Sequence, residues 1–138
     1  MSDDTAVAQG LLDTSVVIAL ERLPAGSLPM EPAIAAVTLA ELAAGPHATD
    51  DPEERARRQD RLQRIEALVD PLPFDASAAR AYGRVYAATR AAARKPCGAR
   101  AVDLLIAATA LANDLPLFTR NPDDFVHLAA SGLEVRTV

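Results

Sequence analysis

The chain has 138 residues, enough for one domain with a buried core; half are hydrophobic but only 4% are aromatic, so disorder is excluded and the core must come from Ala, Leu, Val and Ile. No apolar run reaches the roughly 18 residues that span a bilayer. A net charge of −5 argues against broad electrostatic affinity for nucleic acid, and the single cysteine, Cys97, excludes an internal disulfide or a multi-thiolate metal site.

The opening MSDDTAVAQG is acidic and lacks the basic start of a secretion signal, so a cytoplasmic location is expected. QGLLD reads as a short buried strand, and SVVIALER as a helix that follows directly. Residues 33 to 38 (AIAAVT) form an expected second strand. Thr38 and Glu41 then fit a capping box opening the helix LAELAAG, which Gly45-Pro46 stops. Asp51 as N-cap, Pro52 at the first position and Glu54 three residues after the cap open a long polar helix. Leu62, Ile65, Leu68 and Val69 recur along it at helical spacing, and five arginines between Arg55 and Arg64 cover much of the rest.

PLPF (71 to 74) is an expected third strand, and Asp75 caps the next helix, with Ala78, Tyr82, Val85, Tyr86 and Thr89 as its inward stripe. After the loop KPCG comes an Ala/Leu helix from Ala99 to Asn113, apolar almost all the way round and therefore buried. LPLFT gives a fourth strand, NPDDF a short helix from Asn121-Pro122, and LEVRTV a fifth strand. With no repeat or composition break, residues 1–138 read as one α/β domain with a mainly parallel sheet. Ligands of such sheets bind beyond the carboxyl ends of the strands.

Three acids sit where hydrocarbon is expected: Asp13 in GLLDTSVVIAL, Glu41 in AAVTLAELAAG and Asp103 in ARAVDLLIAATALA. A carboxylate in such surroundings is costly unless it is paired, hydrogen-bonded or metal-bound. Asp13 ends the first strand, Glu41 lies in the helix after the second, and Asp103 sits one turn into the buried helix. Past the fourth strand, where a further acid would reach the same edge, stand Asn121 and then Asp124. Converging carboxylates repel and take up protons unless a cation neutralises them. Oxygen donors without Cys or His point to Mg²⁺ or Mn²⁺. Such an ion can activate a water and steady a phosphoryl oxygen, the chemistry of phosphodiester hydrolysis. Each acid also has a structural reading: Asp13 as a helix cap, Glu41 as the capping-box partner of Thr38, Asp103 as a partner of Arg100, Asp124 as a helix-start charge. Their joint placement carries the functional one.

In LLDTSVVIAL, VTLAELAAG, GARAVDLLIAATALANDLPLFT and TRNPDDF, in that order and over nearly the whole chain, the sequence resembles the PIN-domain ribonucleases, specifically the VapC-type toxins of bacterial toxin–antitoxin pairs. The resemblance implies a three-layer α/β/α domain and a divalent-metal-dependent endoribonuclease. It also implies a homodimer and a cognate VapB-like antitoxin. Asp13, Glu41 and Asp103 match the family's active-site acids, with Asp13 and Asp103 as the principal metal ligands. Asn121 or Asp124 fills the fourth position, and Asp124 is the residue favoured.

Thr14 and Thr119 carry hydroxyls at the same edge, where they and Asn121 would orient water or carboxylates, or serve turn chemistry only. Arg90, Arg94, Lys95 and Arg100, in TRAAARKPCGAR, are the candidate contacts for RNA phosphates; a dipole and solubility role is the alternative. His47 and His127 show no acid–base pattern. An aspartyl-phosphate phosphotransferase or phosphatase with Asp13 as nucleophile would want an acid two residues on, where Ser15 stands. A receiver domain would want a late lysine, and none follows Lys95. A catalytically silent PIN-like module that only binds a partner is the remaining alternative.

Overall fold

The computed structural model describes residues 7–138; the acidic opening residues, Asp3 and Asp4 among them, lie outside that range. Gln9–Leu12 form strand β1, followed by helix α1 (Thr14–Ala19) and a 3-10 turn through Arg22. Strand β2 (Glu31–Ile34), helix α2 (Ala36–Ala44) and helix α3 (Pro52–Leu68) come next. Helices α4 (Ala76–Ala91) and α5 (Ala99–Ala112) lead to β3 (Leu117–Thr119), two short 3-10 segments and β4 (Val135–Thr137). The four strands are parallel in the order β2-β1-β3-β4.

Side chains alternate across a strand, and this builds the layers. Leu11 of β1 and Leu117 of β3 face a core shared with Val85 of α4 and Leu104, Ile106, Ala107 and Ala110 of α5. Their neighbours Leu12 and Phe118 face the opposite core, with Val16 and Val17 of α1, Leu42 of α2 and Ile65 of α3. The result is a three-layer α/β/α fold.

Among the described residues the sheet has four strands, not the five expected. In PLPF only Leu72 pairs, through its N–H to the Ile34 carbonyl at 2.8 Å and its carbonyl to the Ala36 N–H at 2.8 Å. Pro71 and Pro73 have no N–H to extend the ladder. The second strand ends at Ile34, and the helix already runs through Ala36-Val37-Thr38. Ala35 is the N-cap and makes no side-chain cap bond, so the Thr38–Glu41 capping box does not form; Thr38 is instead a fully buried helical residue. Tyr86 is exposed rather than inward, and Ala81 takes the buried position on that stripe of α4. The other starts are as expected. Asp51 accepts from the Glu53 N–H at 3.1 Å to open α3, and Asp75 from the Ala78 N–H at 3.0 Å to open α4.

His127 is half-buried, with Nε2 2.9 Å from the Thr89 hydroxyl, which itself donates to the Val85 carbonyl. The Thr89 proton is thus used, so His127 Nε2 carries the hydrogen and the buried Nδ1 keeps a bare lone pair with no partner among the described residues. Burial, then Arg94 and Arg100, hold the imidazole below its ordinary range, in keeping with a neutral ring.

β1 and β3 meet closely because Gly10 has no side chain: an added Cβ would stand 2.4 Å from Phe118 Cε1 and 3.2 Å from Pro29 Cγ. Phe118 is buried and has little room to yield. Gly10→Ala is therefore expected to lower unfolding free energy by about 1–3 kcal/mol, read from urea denaturation, whereas Gly26→Ala, with open space around it, should not show this overpacking cost.

Candidate active site

Asp13 stands one residue past β1, 4% exposed, where the sheet hands the chain to α1. Its N–H continues the ladder to the Phe118 carbonyl at 3.0 Å. Its Oδ1 accepts from the Val16 N–H at 3.1 Å and from the Ser15 hydroxyl at 2.6 Å, capping α1. Oδ2 has no bonded partner among the described residues. The cap therefore uses one carboxylate oxygen and leaves the other for a ligand.

Glu41 lies past the middle of α2, not in its first turn as the sequence reading placed it, and its side chain reaches back to α1. The Thr14 hydroxyl donates to Glu41 Oε1, and the buried Thr38 hydroxyl stands 3.2 Å from Thr14 Oγ1. Thr14 thus orients a carboxylate in this structure. Thr119, fully buried, accepts the Asn121 N–H on Oγ1 at 3.0 Å, so it makes strand-end turn chemistry. Ser15 is the residue that sequence reasoning passed over: besides donating to Asp13, its oxygen accepts the Arg120 N–H at 3.2 Å and so ties α1 to the end of β3. The spacing gave a signal, since an N-cap Asp followed two residues later by Ser is a local hydrogen-bonding pattern.

Asp103 is half-buried on α5, whose neighbouring side chains are fixed in the core. Loss of hydration pushes its carboxyl up from the ordinary 3.8 to about 6, and the negative charges of Asp124, Asp13 and Glu41 push in the same direction; Arg100 opposes them weakly. Asp124, Asp13 and Glu41, from three other segments, thus lie within electrostatic reach of Asp103. Of the two candidates for the fourth position, Asp124 in the 3-10 turn after β3 acts on Asp103, while Asn121 is exposed.

These residues suit a hard divalent cation by charge and donor type. The site is an open one: among the described residues no three His, Cys, Asp or Glu side chains already meet closely enough to cage an ion. Mg²⁺ does not require a cage, since it keeps several waters and takes one or two carboxylates directly. A cation here would also offset the repulsion that adds to lost hydration in raising the Asp103 carboxyl.

Of the basic residues expected to meet substrate, Arg94 donates to the Asp123 carbonyl at 3.0 Å and so anchors the turn that carries Asp124. Arg90 and Lys95 are exposed and form no ion pair among the described residues. Arg100 lies beside Asp103.

Residues 10–131 match the family model of the PIN domain. The sequence is 38% identical over 135 residues to Ribonuclease VapC5 of Mycobacterium tuberculosis, covering 95% of this chain and 96% of that protein. The fold is similar to the crystal structure of VapBC-5, a member of the VapBC family of toxin–antitoxin systems from Mycobacterium tuberculosis, with a TM-score of 0.83 at 36% identity over 95% of this chain and 99% of that one. It is also similar to FitAcB from Neisseria gonorrhoeae, with a TM-score of 0.69 at 26% identity over 91% and 94% of the two chains. No helix among the described residues is long and apolar enough to cross a membrane.

The Asp103 carboxyl fixes the sign of a pH effect. Between 3.8 and about 6 the folded chain holds a proton there that the unfolded chain has released, so stability from this group is full below 3.8 and is lost as pH rises through 6. In EDTA, the melting temperature of the parent should fall across that interval more steeply than that of Asp103→Asn. Mn²⁺ added above the upper value should raise the parent's melting temperature only. Parallel melting curves for the two proteins would remove Asp103 from the centre of the cluster.

Proposed function

This chain belongs to the PIN-domain family, among its VapC-type ribonucleases, and we propose that it is the toxin of a toxin–antitoxin pair that hydrolyses RNA at the Asp13, Glu41, Asp103 and Asp124 cluster. The observation that carries this reading is that the half-buried Asp103 carboxyl, already raised by lost hydration, feels the negative charges of three acids from other segments, Asp124, Asp13 and Glu41. Such a concentration of negative charge is a liability in a phosphate-cleaving enzyme unless a cation sits between acids and substrate. Asp13 and Asp103 would hold Mg²⁺ or Mn²⁺, with Glu41 and Asp124 at its margin. A bound divalent ion would lower the pKa of a water and stabilise charge on the phosphoryl oxygens.

The chain's own residues then have distinct tasks. Asp13 presents Oδ2 from a carboxylate whose rotation is stopped by Ser15 and the Val16 N–H. Glu41, steadied by Thr14, is placed to accept a proton from water or to hold that water in line. Asp103 brings charge on a helix whose next turns are buried, and Arg94 holds the turn that bears Asp124. Arg90, Lys95 and Arg100 supply cationic contacts to the RNA backbone, and Asn121 orients water.

A cognate antitoxin is the partner, supported by likeness to VapBC-5, a member of a family of toxin–antitoxin systems. We take the working unit to be a cytoplasmic homodimer of a single 1–138 domain. Ser15 at the position where phosphotransferases use a second acid, hydrogen-bonded to Asp13, disfavours a phosphoaspartate mechanism.

Purified chain with Mn²⁺ should cut single-stranded RNA, lose activity in EDTA and regain it with excess metal. Asp103→Asn should slow cleavage by roughly a hundredfold or more, since one ligand to a catalytic ion carries several kcal/mol of transition-state stabilisation. Asp123→Asn, next to Asp124 but outside the cluster, should leave the rate unchanged. An Asp103→Asn protein that cuts like its parent would refute the assignment.

A further inference from the structure

Two clefts flank the acid centre, both edged by arginines. The first, of about 360 Å³, is lined by Thr14 and Glu41 on one side and on the other by Arg58, Arg61 and Glu54 of α3, the last of these paired with Arg57 and Arg58. The second, of about 380 Å³, is lined by Ser15, Arg22, Arg120 and Asn121. Ile18, 45% exposed, belongs to both walls. Thr14, Ser15 and Ile18 stand at helical spacings of three and four, so one face of α1 carries the hydroxyls that bind Glu41 and Asp13 and the apolar ridge between the clefts.

The arginines differ in how they are used. On α3, Arg55 donates to the Pro46 and Thr49 carbonyls, and Arg58 to the Gly45 carbonyl and Glu54. Arg57 shares Glu54, and Arg64 pairs with Glu21 and Asp60. Arg61, half-buried beside Glu41, has no acceptor among the described residues. Neither do the side chains of Arg22 and Arg120 in the second cleft. An arginine left without an acceptor next to a carboxylate cluster, on a chain of net charge −5, is suited to an anion brought by the substrate.

We propose that single-stranded RNA crosses α1, with phosphates on one side of the scissile bond held by Arg61 and on the other by Arg120 and Arg22, and with Ile18 as the apolar ridge under a splayed base. The proposal rests on the ribonuclease reading above. It goes beyond that reading in adding Arg61, Arg120 and Arg22, on either side of α1, as positioning residues besides the contacts from Arg90, Lys95 and Arg100. Adjacent phosphates are thereby kept off the carboxylates by cations fixed on α3 and after β3.

The test reads binding apart from cleavage. A short fluorescein-labelled single-stranded RNA of mixed sequence is titrated with the full chain in EDTA, and affinity is followed by fluorescence anisotropy across a salt series. Arg61→Ala and Arg120→Ala are each expected to weaken binding about tenfold, the loss of one charged hydrogen bond. Each should reduce the slope of log Kd against log salt by about 0.7, one phosphate on a single strand. Arg61→Lys should keep most of the slope, and Arg57→Ala, whose guanidinium serves Glu54, should change neither quantity. With Mn²⁺, Arg61→Ala should raise KM more than it lowers kcat, and Ile18→Ala should leave the salt slope intact while shifting the pattern of cut positions.

Unchanged affinity in Arg61→Ala and Arg120→Ala, or an equal loss in Arg57→Ala, overturns the track while leaving the nuclease reading in place. RNA bound through these arginines by a chain that does not cut would refute the nuclease reading and spare the track. Variants that lose only a co-purifying protein partner would assign the clefts to that partner and end the proposal.

Discussion

The structure of the site depends on Asp13 serving two backbones at once. Its N–H is the last rung between β1 and β3, and its Oδ1 is the first cap of α1. The first ties distant parts of the chain and fixes the backbone; the second is local and stops the carboxylate from turning away. Placing a charge there costs hydration, which the Ser15 hydroxyl and the Val16 N–H partly replace. With one oxygen committed, the other stays at the carboxyl rim of the sheet, the part of a parallel α/β fold where the helix and strand connections leave space for a ligand. Glu41, Asp103 and Asp124 then need only arrive from their own elements at the same rim.

Their arrival is uneven, and the unevenness follows from what each element is packed against. Asp103 rides on α5, bracketed by fully buried Leu104, Ile106, Ala107 and Ala110, so it cannot relax away from its neighbours. Its elevated carboxyl follows from lost hydration first and from its acidic neighbours second. Glu41, on an exposed position of α2, could swing into solvent, and the Thr14 hydroxyl is what keeps it at the cluster. Asp124 stands on a 3-10 turn with no side-chain cap, and the Arg94 bond to the Asp123 carbonyl supplies the missing anchor.

Where the sequence was legible, the signal was local. Asp51-Pro52 and Asp75 mark their helices because a cap acts within one turn, and LLDTSVVIAL marks β1 and α1 because a buried strand running into a helix leaves a continuous apolar run. The misreadings came from elements defined by partners distant in sequence. PLPF has strand-like composition but only one pairing residue between its prolines. Thr38 has the spacing of a capping box, yet the helix begins earlier at a capless Ala35, and the hydroxyl turns to Thr14 instead. The convergence of the acids could be argued from strand ends. Which arginines are free could not: Arg58 and Arg61 are equivalent along the helix until Gly45 and Glu54 claim one of them.

The scarcity of aromatic residues has a mechanical use in this architecture. Val85 of α4 and Ala107 and Ala110 of α5 share one core, Ala78 and Ala81 of α4 are fully buried too, and small side chains let helices approach closely with little rotamer freedom to lose. A larger, softer core would place Asp103 less firmly against the sheet rim. Firm placement matters more here than in a site made by one segment, because four carboxylates supplied by four elements attract nothing in each other and must be held together by the scaffold alone. The stability given up to repulsion at the rim is offset by burial behind it, and a cation at the rim would turn the same repulsion into binding energy.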